Sequence, residues 1–390
     1  MTKDFTTSTL EYNAWLSTYL ALDPTGLAEK RRKMDKKRLF PLLRGSFYRW
    51  SWQFRASDVA VQDAPRVLSA GDTHLENFGT WRDTEGRLVW GVNDFDEAAE
   101  LPFTSDLVRL ATSFLVARGD GERTILAGAE EGVAAILDGY RSGLAGGCPF
   151  ILDEAEHETL RIVAHGLHDP AGEWDKIRKG DEKTPGDPEV LHLLLTSLPQ
   201  GARPQMFLQA LRGLGALGRP RWTVIAEWNG GLVAREVKAT APSAAAMPAR
   251  PASRVIDHRR LAAEARRSPD PAFYVSERWV VRRLSPEARK ISLDHFPPGV
   301  GESTDRAESG RPDPDTAPVR GQLALLRAMG GEVANLHAGT AHDPGVLAAW
   351  LAGQDDAWLL RAAERATERV AEDHAALRHA PEVVEAVTPA

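Results

Sequence analysis

The sequence has almost no cysteine: Cys148 is the single one in 390 residues. That excludes an intramolecular disulfide and a zinc site built on paired cysteines. No stretch of about 18 apolar residues occurs, so no membrane span is expected. The opening MTKDFTTSTLEYNAWL lacks the unbroken apolar core of a secretory signal, and a cytoplasmic location is expected. Basic charge does not dominate either. Lysine and arginine number 48 against 55 aspartates and glutamates, a net charge of −7, the wrong sign for a nucleic-acid surface. The run from Lys30 to Lys37 is the local exception and reads as a solvated helix face.

What is present is an ordinary globular composition, 43% hydrophobic and 26% charged, long enough for two lobes with separate cores. Residues 8–60 read as helical, with breaks near Pro24 and Pro41. A short strand at 66–69 enters GDTHLENFG (71–79), and a hairpin pairs 79–82 with 88–92. Helices are expected from Asp106, over 122–143, and through most of 151–212 outside a Gly/Pro/Asp-rich break at 180–188. The strands RWTVIAEW (221–228) and GLVAREVKA (231–239) flank Asn229-Gly230, a strong hairpin turn. A Pro/Ala/Ser linker follows at 240–253, then a helix at 254–267 and a strand pair within 273–284. Helices at 321–338 and 345–380 close the chain, the first with Leu326, Met329, Val333 and Leu336 as its apolar stripe.

The expected division is an N-terminal helical segment (1–65), a first helical-lobe part (66–204), a β-rich lobe (205–296), a linker (297–318) and a second helical-lobe part (319–390). The fold class is α+β, with a small β-rich lobe inserted into a helical one.

Three local signals carry chemistry. Asp72 and Asn77 lie on a loop just after a strand. Asp94-Phe95-Asp96 directly follows the hairpin. Gly213, Gly215 and Gly218 form GxGxxG, with Lys238 at the end of the second strand beyond it. Phosphoryl transfer uses this assortment: a carboxylate for the attacking hydroxyl, oxygen ligands for a metal, a lysine for phosphate charge and a glycine turn whose N–H groups approach phosphates. Two like charges ~4 Å apart at an effective dielectric of ~20 repel by ~4 kcal/mol, so paired acids call for a cation. Hard oxygen ligands suit magnesium. Each signal alone is weak, since Asp-x4-Asn and loose glycines are common in loops. A Rossmann turn needs a strand before the glycines and a helix after them. Here a helix is expected before and a hairpin after, which fits a kinase-type loop better. His165 and His168 lack a third metal ligand, His74 reads as shaping its loop, and the aromatic stretch 48–52 reads as core packing.

At GDTHLENFG, VNDFDEAAELPFTSDLVRLA, GLGALG, REVKA, WVVRRL and GEVANLHAG the sequence resembles the aminoglycoside-phosphotransferase and protein-kinase superfamily. More closely it resembles the bacterial family called domain of unknown function 2252, from about residue 35 onward. Arg44-Gly45 resembles a further motif of that family. The resemblance implies a protein-kinase-like two-lobed fold, with Asp72 as catalytic base and Asn77 and Asp94 as magnesium ligands. Asp96 is a further candidate ligand. It implies Asp106 as a buried acid bracing the loop, Gly213, Gly215 and Gly218 over the phosphates of ATP, and Lys238 on its α- and β-phosphates. Asp257, or else Glu264, would partner Lys238.

The order differs from that of kinases: the catalytic loop precedes the glycine loop, and the helix ending Asn335-Leu336-His337 comes last. A circular permutation accounts for this order and places residues near 338 beside residues near 66. Ala70 replaces a histidine frequent in the superfamily. Glu236, on the same strand face as Lys238, stands where kinases place a small residue against the base. The implied activity is ATP- and Mg²⁺-dependent phosphotransfer to a hydroxyl of a small molecule or protein. Nucleotidyl transfer, a non-catalytic nucleotide-binding module and a purely structural protein are the alternatives. Neither nucleic acid nor membrane is an expected partner, and the acceptor pocket is sought, by analogy, in 151–205.

Overall fold

The computed structural model describes residues 4–55, 59–121, 124–167, 169–210, 212–248, 256–296 and 317–379. Five helices open the chain: α1 (Phe5–Ser17), α2 (Pro24–Met34), α3 (Leu39–Gly45), α4 (Phe47–Arg55) and α5 (Val59–Gln62). Pro24 sits at the start of α2, and the Asp23 carboxylate caps it by accepting from Thr25 and Gly26 N–H. Pro41 makes no break. It lies in the first turn of α3, where an N–H has no intrahelical partner to lose. The Asp120 carboxylate instead accepts from Leu39 N–H at 2.8 Å and Phe40 N–H at 2.9 Å.

Strand β1 (Arg66–Ser69) leads into the loop at 70–77. The expected hairpin forms from β2 (Phe78–Arg82) and β3 (Leu88–Val92), and β4 (Ala99–Pro102) returns antiparallel to β1. Helix α6 (Thr104–Gly119) follows, then α7 (Ala129–Gly146), which starts seven residues later than its pattern suggested. Strand β5 (Phe150–Ile151) pairs with β3, and α8 (Glu158–Gly166) and α9 (Pro170–Ile177) come next.

A six-stranded antiparallel sheet holds the middle of the chain. Its strands are β6 (Asp181–Glu182), β7 (Arg203–Gln209), β8 (Arg221–Trp228), β9 (Gly231–Ala239), β10 (Tyr274–Val275) and β11 (Trp279–Leu284), in the order β10-β11-β9-β8-β7-β6. Asn229 (φ 48°) and Gly230 (φ 80°) make the tight β8–β9 turn, whose twist matches that of the strands. Helix α10 (Pro188–Thr196) covers one face: Val190 and Leu194 pack with Val224, Val237 and Trp279. Helix α11 (Ile256–Glu264) lies beyond β9.

Two expectations need correction. Residues 203–209 are a strand, not helix. Pairing of Met206, Phe207 and Leu208 with β8 overrides a weak local preference, so the β-rich unit begins before residue 205. Nor are 240–248 a loose linker. Ala241, Ala244, Ala245 and Met247 are buried in the helical core, where small side chains allow a close fit. The expected linker at 297–318 lies almost wholly outside the described residues, as do 249–253 and His168.

Helices α12 (Ala317–Thr340), α13 (Pro344–Ala352) and α14 (Trp358–His379) complete the helical body. Leu326, Met329, Val333 and Leu336 are fully buried, as the stripe predicts. Helices α7 and α12 touch backbone to backbone: a Cβ on Gly139 would lie 1.8 Å from Arg327 O, and one on Gly330 2.0 Å from Ile136 O. No described helix is long and apolar enough to cross a membrane. The fold is mixed α+β.

Candidate functional site

The loop after β1 is held from beneath. Gly71 has φ 81°, and a Cβ there would collide with Glu97 O at 2.1 Å. Ala70 and Gly71 N–H donate to the two oxygens of Asp106, at 2.8 and 2.9 Å. His337 Nε2 lies 3.1 Å from Asp106 Oδ2, and its Nδ1 lies 2.9 Å from the Tyr140 hydroxyl. Thr340 Oγ1 donates to Leu68 O at 3.2 Å, so the end of α12 lies beside β1.

This loop carries Asp72, His74 and Asn77. His74 Nδ1 accepts from Glu76 N–H, and His74 O from Asn77 N–H, which closes the turn. Burial keeps His74 neutral by lowering its pKa well below the usual value, so it is no ready proton acceptor near neutral pH. Asn77 Nδ2 donates to Asp72 O and Asp94 O, joining the two acidic segments through their backbones. Its Oδ1 is buried with no hydrogen-bond partner.

Asp72 faces a cation absent from the sequence reading. Arg109, fully buried on α6, donates from Nε to Asp72 Oδ1 at 2.9 Å and from Nη2 to Leu43 O at 2.7 Å. Its guanidinium stacks near Phe47 and Trp50, about 5 Å from each ring. Burial raises the Asp72 pKa and Arg109 opposes that rise. Arg109 lies three residues after Asp106, hence on the same helix face, which was the available clue.

Lys238 reaches across from β9 to both acids, with Nζ 2.6 Å from Asp96 Oδ2 and 3.2 Å from Asp94 Oδ1. Desolvation works against the charge on Asp94, but Lys238, then Arg282, outweighs it and holds the carboxyl far below the ordinary range. Asp96 Oδ1 is buried without a partner. Asp94, Asp96 and Asn77 thus bring together the oxygen donors a hard divalent cation takes. Among the described residues no group of three or more His, Cys, Asp or Glu side chains is arranged as a metal site, and here Lys238 pairs with both acids.

The glycine segment bends between two strands, β7 and β8. The expected preceding helix is absent, and the Rossmann alternative still fails because no helix follows. Gly213 (φ 77°) and Gly218 (φ 89°) bracket a 3₁₀ turn at Leu214–Ala216. A Cβ on Gly215 would lie 3.8 Å from Asp72 Oδ2, so this turn sits over the Asp72 loop. Helix α2 pins it. Lys30 Nζ donates to Gly215 O at 3.1 Å, Asp23 N–H donates to Gly218 O at 2.8 Å, and Gly26 abuts the Gly218 backbone. Lys30 is therefore buried, contrary to the solvated face expected of its run, and burial pushes its pKa down to about 8.

Asp257 is not brought to Lys238. It borders a separate depression with Glu100, and burial followed by Glu100 raises its pKa. Glu264 pairs with Arg260 at 3.1 Å instead. On α11, His258 is buried against Phe95 and feels the charges of Asp96 and Asp94. Arg44 pairs with Glu76 at the cavity, and Gly45 lets Met34 Sδ approach within 2.3 Å of where a Cβ would be.

The Asp72 loop, the Asp94–Asp96 segment and the glycine turn border a cavity of about 690 Å³, lined by Asp72, Asn77, Asp94, Asp96, Gly213 and Gly215 among others. Ten of its lining residues are Arg or Lys and six are Asp or Glu, so it is locally cationic in an acidic protein. At its edge Glu97 is pushed up to about 7 by burial, against Arg219 and the Ala244 N–H. An acid whose folded pKa is raised loses stability on ionising. The loss begins near the ordinary value of 4.5 and is complete above about 7. Between pH 5 and 7.5 the unfolding free energy of wild type should therefore fall relative to Glu97→Gln, as measured by urea titration. Parallel pH profiles would show that Glu97 does not carry this slope.

Comparison with curated proteins and with solved structures gives no match. Residues 22–161, which include Asp72, Asn77, Asp94, Asp96 and Arg109 but not the glycine turn or Lys238, match the model of a family described as an uncharacterized protein conserved in bacteria (DUF2252).

Proposed function

We propose that this chain is an ATP- and Mg²⁺-dependent phosphotransferase acting on a hydroxyl, built on a circularly permuted kinase-like fold. The observation that carries this reading is that Asp72, Asn77, Asp94 and Asp96 line one cationic cavity while Lys238, 166 residues after Asp72, reaches the last two acids. Two of those side chains keep buried oxygens without a protein partner, as metal ligands awaiting a cation do. The permutation is supported by the contact of Thr340 with Leu68 and by Asp106 clasping the loop.

Asp72 accepts the proton of the acceptor hydroxyl as its oxygen bonds to the γ-phosphorus. The bond from that phosphorus to the bridging oxygen breaks, and ADP leaves. Asn77, Asp94 and Asp96 would hold Mg²⁺, which neutralises phosphate-oxygen charge when bound. Lys238, already aimed at the acids, supplies the remaining positive charge. The glycine turn brings backbone close to the phosphates while α2 limits its movement.

A second reading, nucleotidyl transfer, has one observation in its favour. Glu236, with arginines around it, occupies the place where a kinase takes the base, which suits a nucleotide bound in the opposite sense.

The test is thermal unfolding of wild type, Asp94→Ala and Lys238→Ala with ATP, GTP or ADP, each with and without Mg²⁺. Nucleotide at about 100 times its dissociation constant should stabilise wild type by ~2.7 kcal/mol. The shift should need Mg²⁺ and disappear in both variants. No shift with any nucleotide in folded protein would reject the proposal.

A further inference from the structure

One charged cluster on the sheet face toward the cavity takes no part in the phosphotransfer steps above. Arg282 on β11, Glu236 on β9 and Thr223 on β8 form one cross-strand row, and Lys238 and Arg221 lie opposite each other in the next. Arg221 Nη1 donates to both oxygens of Glu236, at 2.9 and 3.0 Å. Arg282 Nε donates to Glu236 Oε1 at 2.7 Å. Arg212, from the loop after β7, stands 3.7 Å from Glu236 Oε2 and is anchored through Nη2 on Thr223 Oγ1 at 2.8 Å. Its Nε is buried with no hydrogen-bond partner.

Three guanidiniums thus surround one fully buried carboxylate, and Arg221 and Arg282 line the cavity. Asp94 and Asp96 also face Arg282, but with Lys238 the cluster still sets four cations against these two acids and Glu236. Burying uncompensated charge is costly, so a surplus kept at the wall of a cavity calls for an anion. Guanidinium suits phosphate because its fork of N–H donors matches the oxygens. Glu236 fixes the arginines in place and also limits how much anion they attract.

We infer that Arg221 and Arg282, organised by Glu236 and backed by Arg212, form a phosphate-binding subsite beside the Asp94–Asp96–Lys238 site. The inference rests on the nucleotide-transfer reading for its biological sense but not for its test. The anion could be the far phosphates of a reversed nucleotide or the phosphate of a second ligand.

The probe is inorganic pyrophosphate with the full chain and a metal chelator present, followed by calorimetry and thermal unfolding. Wild type should bind it, and Arg282→Met should weaken binding ~10-fold or more. Glu236→Gln, which removes a negative charge and keeps the shape, should tighten it. Asp94→Ala, which abolishes Mg²⁺-dependent nucleotide binding, should retain pyrophosphate binding. No pyrophosphate binding, equal binding by Arg282→Met, or weaker binding by folded Glu236→Gln overturns the subsite. If Mg²⁺–ATP still binds in that case, the subsite alone has failed; if neither binds, the transferase reading fails with it. Displacement of bound pyrophosphate by ATP supports the subsite and assigns it to the nucleotide. Simultaneous binding supports it and assigns it to a separate phosphorylated ligand.

Discussion

Asp72→Asn should lower turnover ~10²–10⁴-fold per folded molecule while leaving the Mg²⁺-dependent nucleotide shift in place. In the proposed reaction this carboxylate takes the proton of the acceptor hydroxyl. Asparagine keeps its shape but cannot accept a proton at neutral pH. The readout is product formation by mass, with an acceptor hydroxyl first identified by screening with wild type. The mass also separates the two chemistries, because a transferred phosphate adds far less than a nucleotidyl group. Stability must be measured alongside, because Arg109 is fully buried and loses its carboxylate partner in this variant. Unchanged turnover would remove Asp72 from the proton pathway. Nucleotide binding with no turnover in wild type, over a broad acceptor screen, would leave a binding module.

The second large effect is on folding. Asp106→Ala should destabilise the protein by ~3–5 kcal/mol, measured by urea unfolding. Asp106 accepts two backbone N–H groups and faces His337, all without exposure to water. Removing it strands two donors and an imidazole at once. Asp106→Asn keeps one acceptor and should cost less. A loss below ~1 kcal/mol in the alanine variant would mean that the loop takes its shape from elsewhere, such as Gly71 and the Asn77 bridges.

How much of this was legible in the sequence depended on the range of the forces involved. The Asn229-Gly230 turn and the stripe of α12 are set by neighbours in the chain, and both were found. Strand β7 was misassigned because its partner β8 decides its conformation. Asp72, Asn77, Asp94, Asp96 and Lys238 were picked out from short patterns and do line or border one cavity, whereas their charge partners were not foreseen. The kinase-like resemblance pairs Lys238 with Asp257 or Glu264, yet Lys238 meets Asp94 and Asp96. Lys30 looked like one of a solvated run, but contact with the Gly215 carbonyl, 185 residues away, buries it. Arg109, Arg219 and Arg282 are ordinary in composition and acquire meaning only through the partners that the fold brings to them.

The clasp between α12 and the Asp72 loop also constrains the order in which the molecule can be made. The loop, its acids and α6 leave the ribosome early, but His337 and Thr340 are synthesised more than 230 residues after Asp106. Until then Tyr140 and the glycine face of α7 have no helix to receive them. The intervening six-stranded sheet can assemble from neighbouring hairpins while the chain is still growing. The helical body cannot close until α12 has been made, so a late helix licenses an early loop.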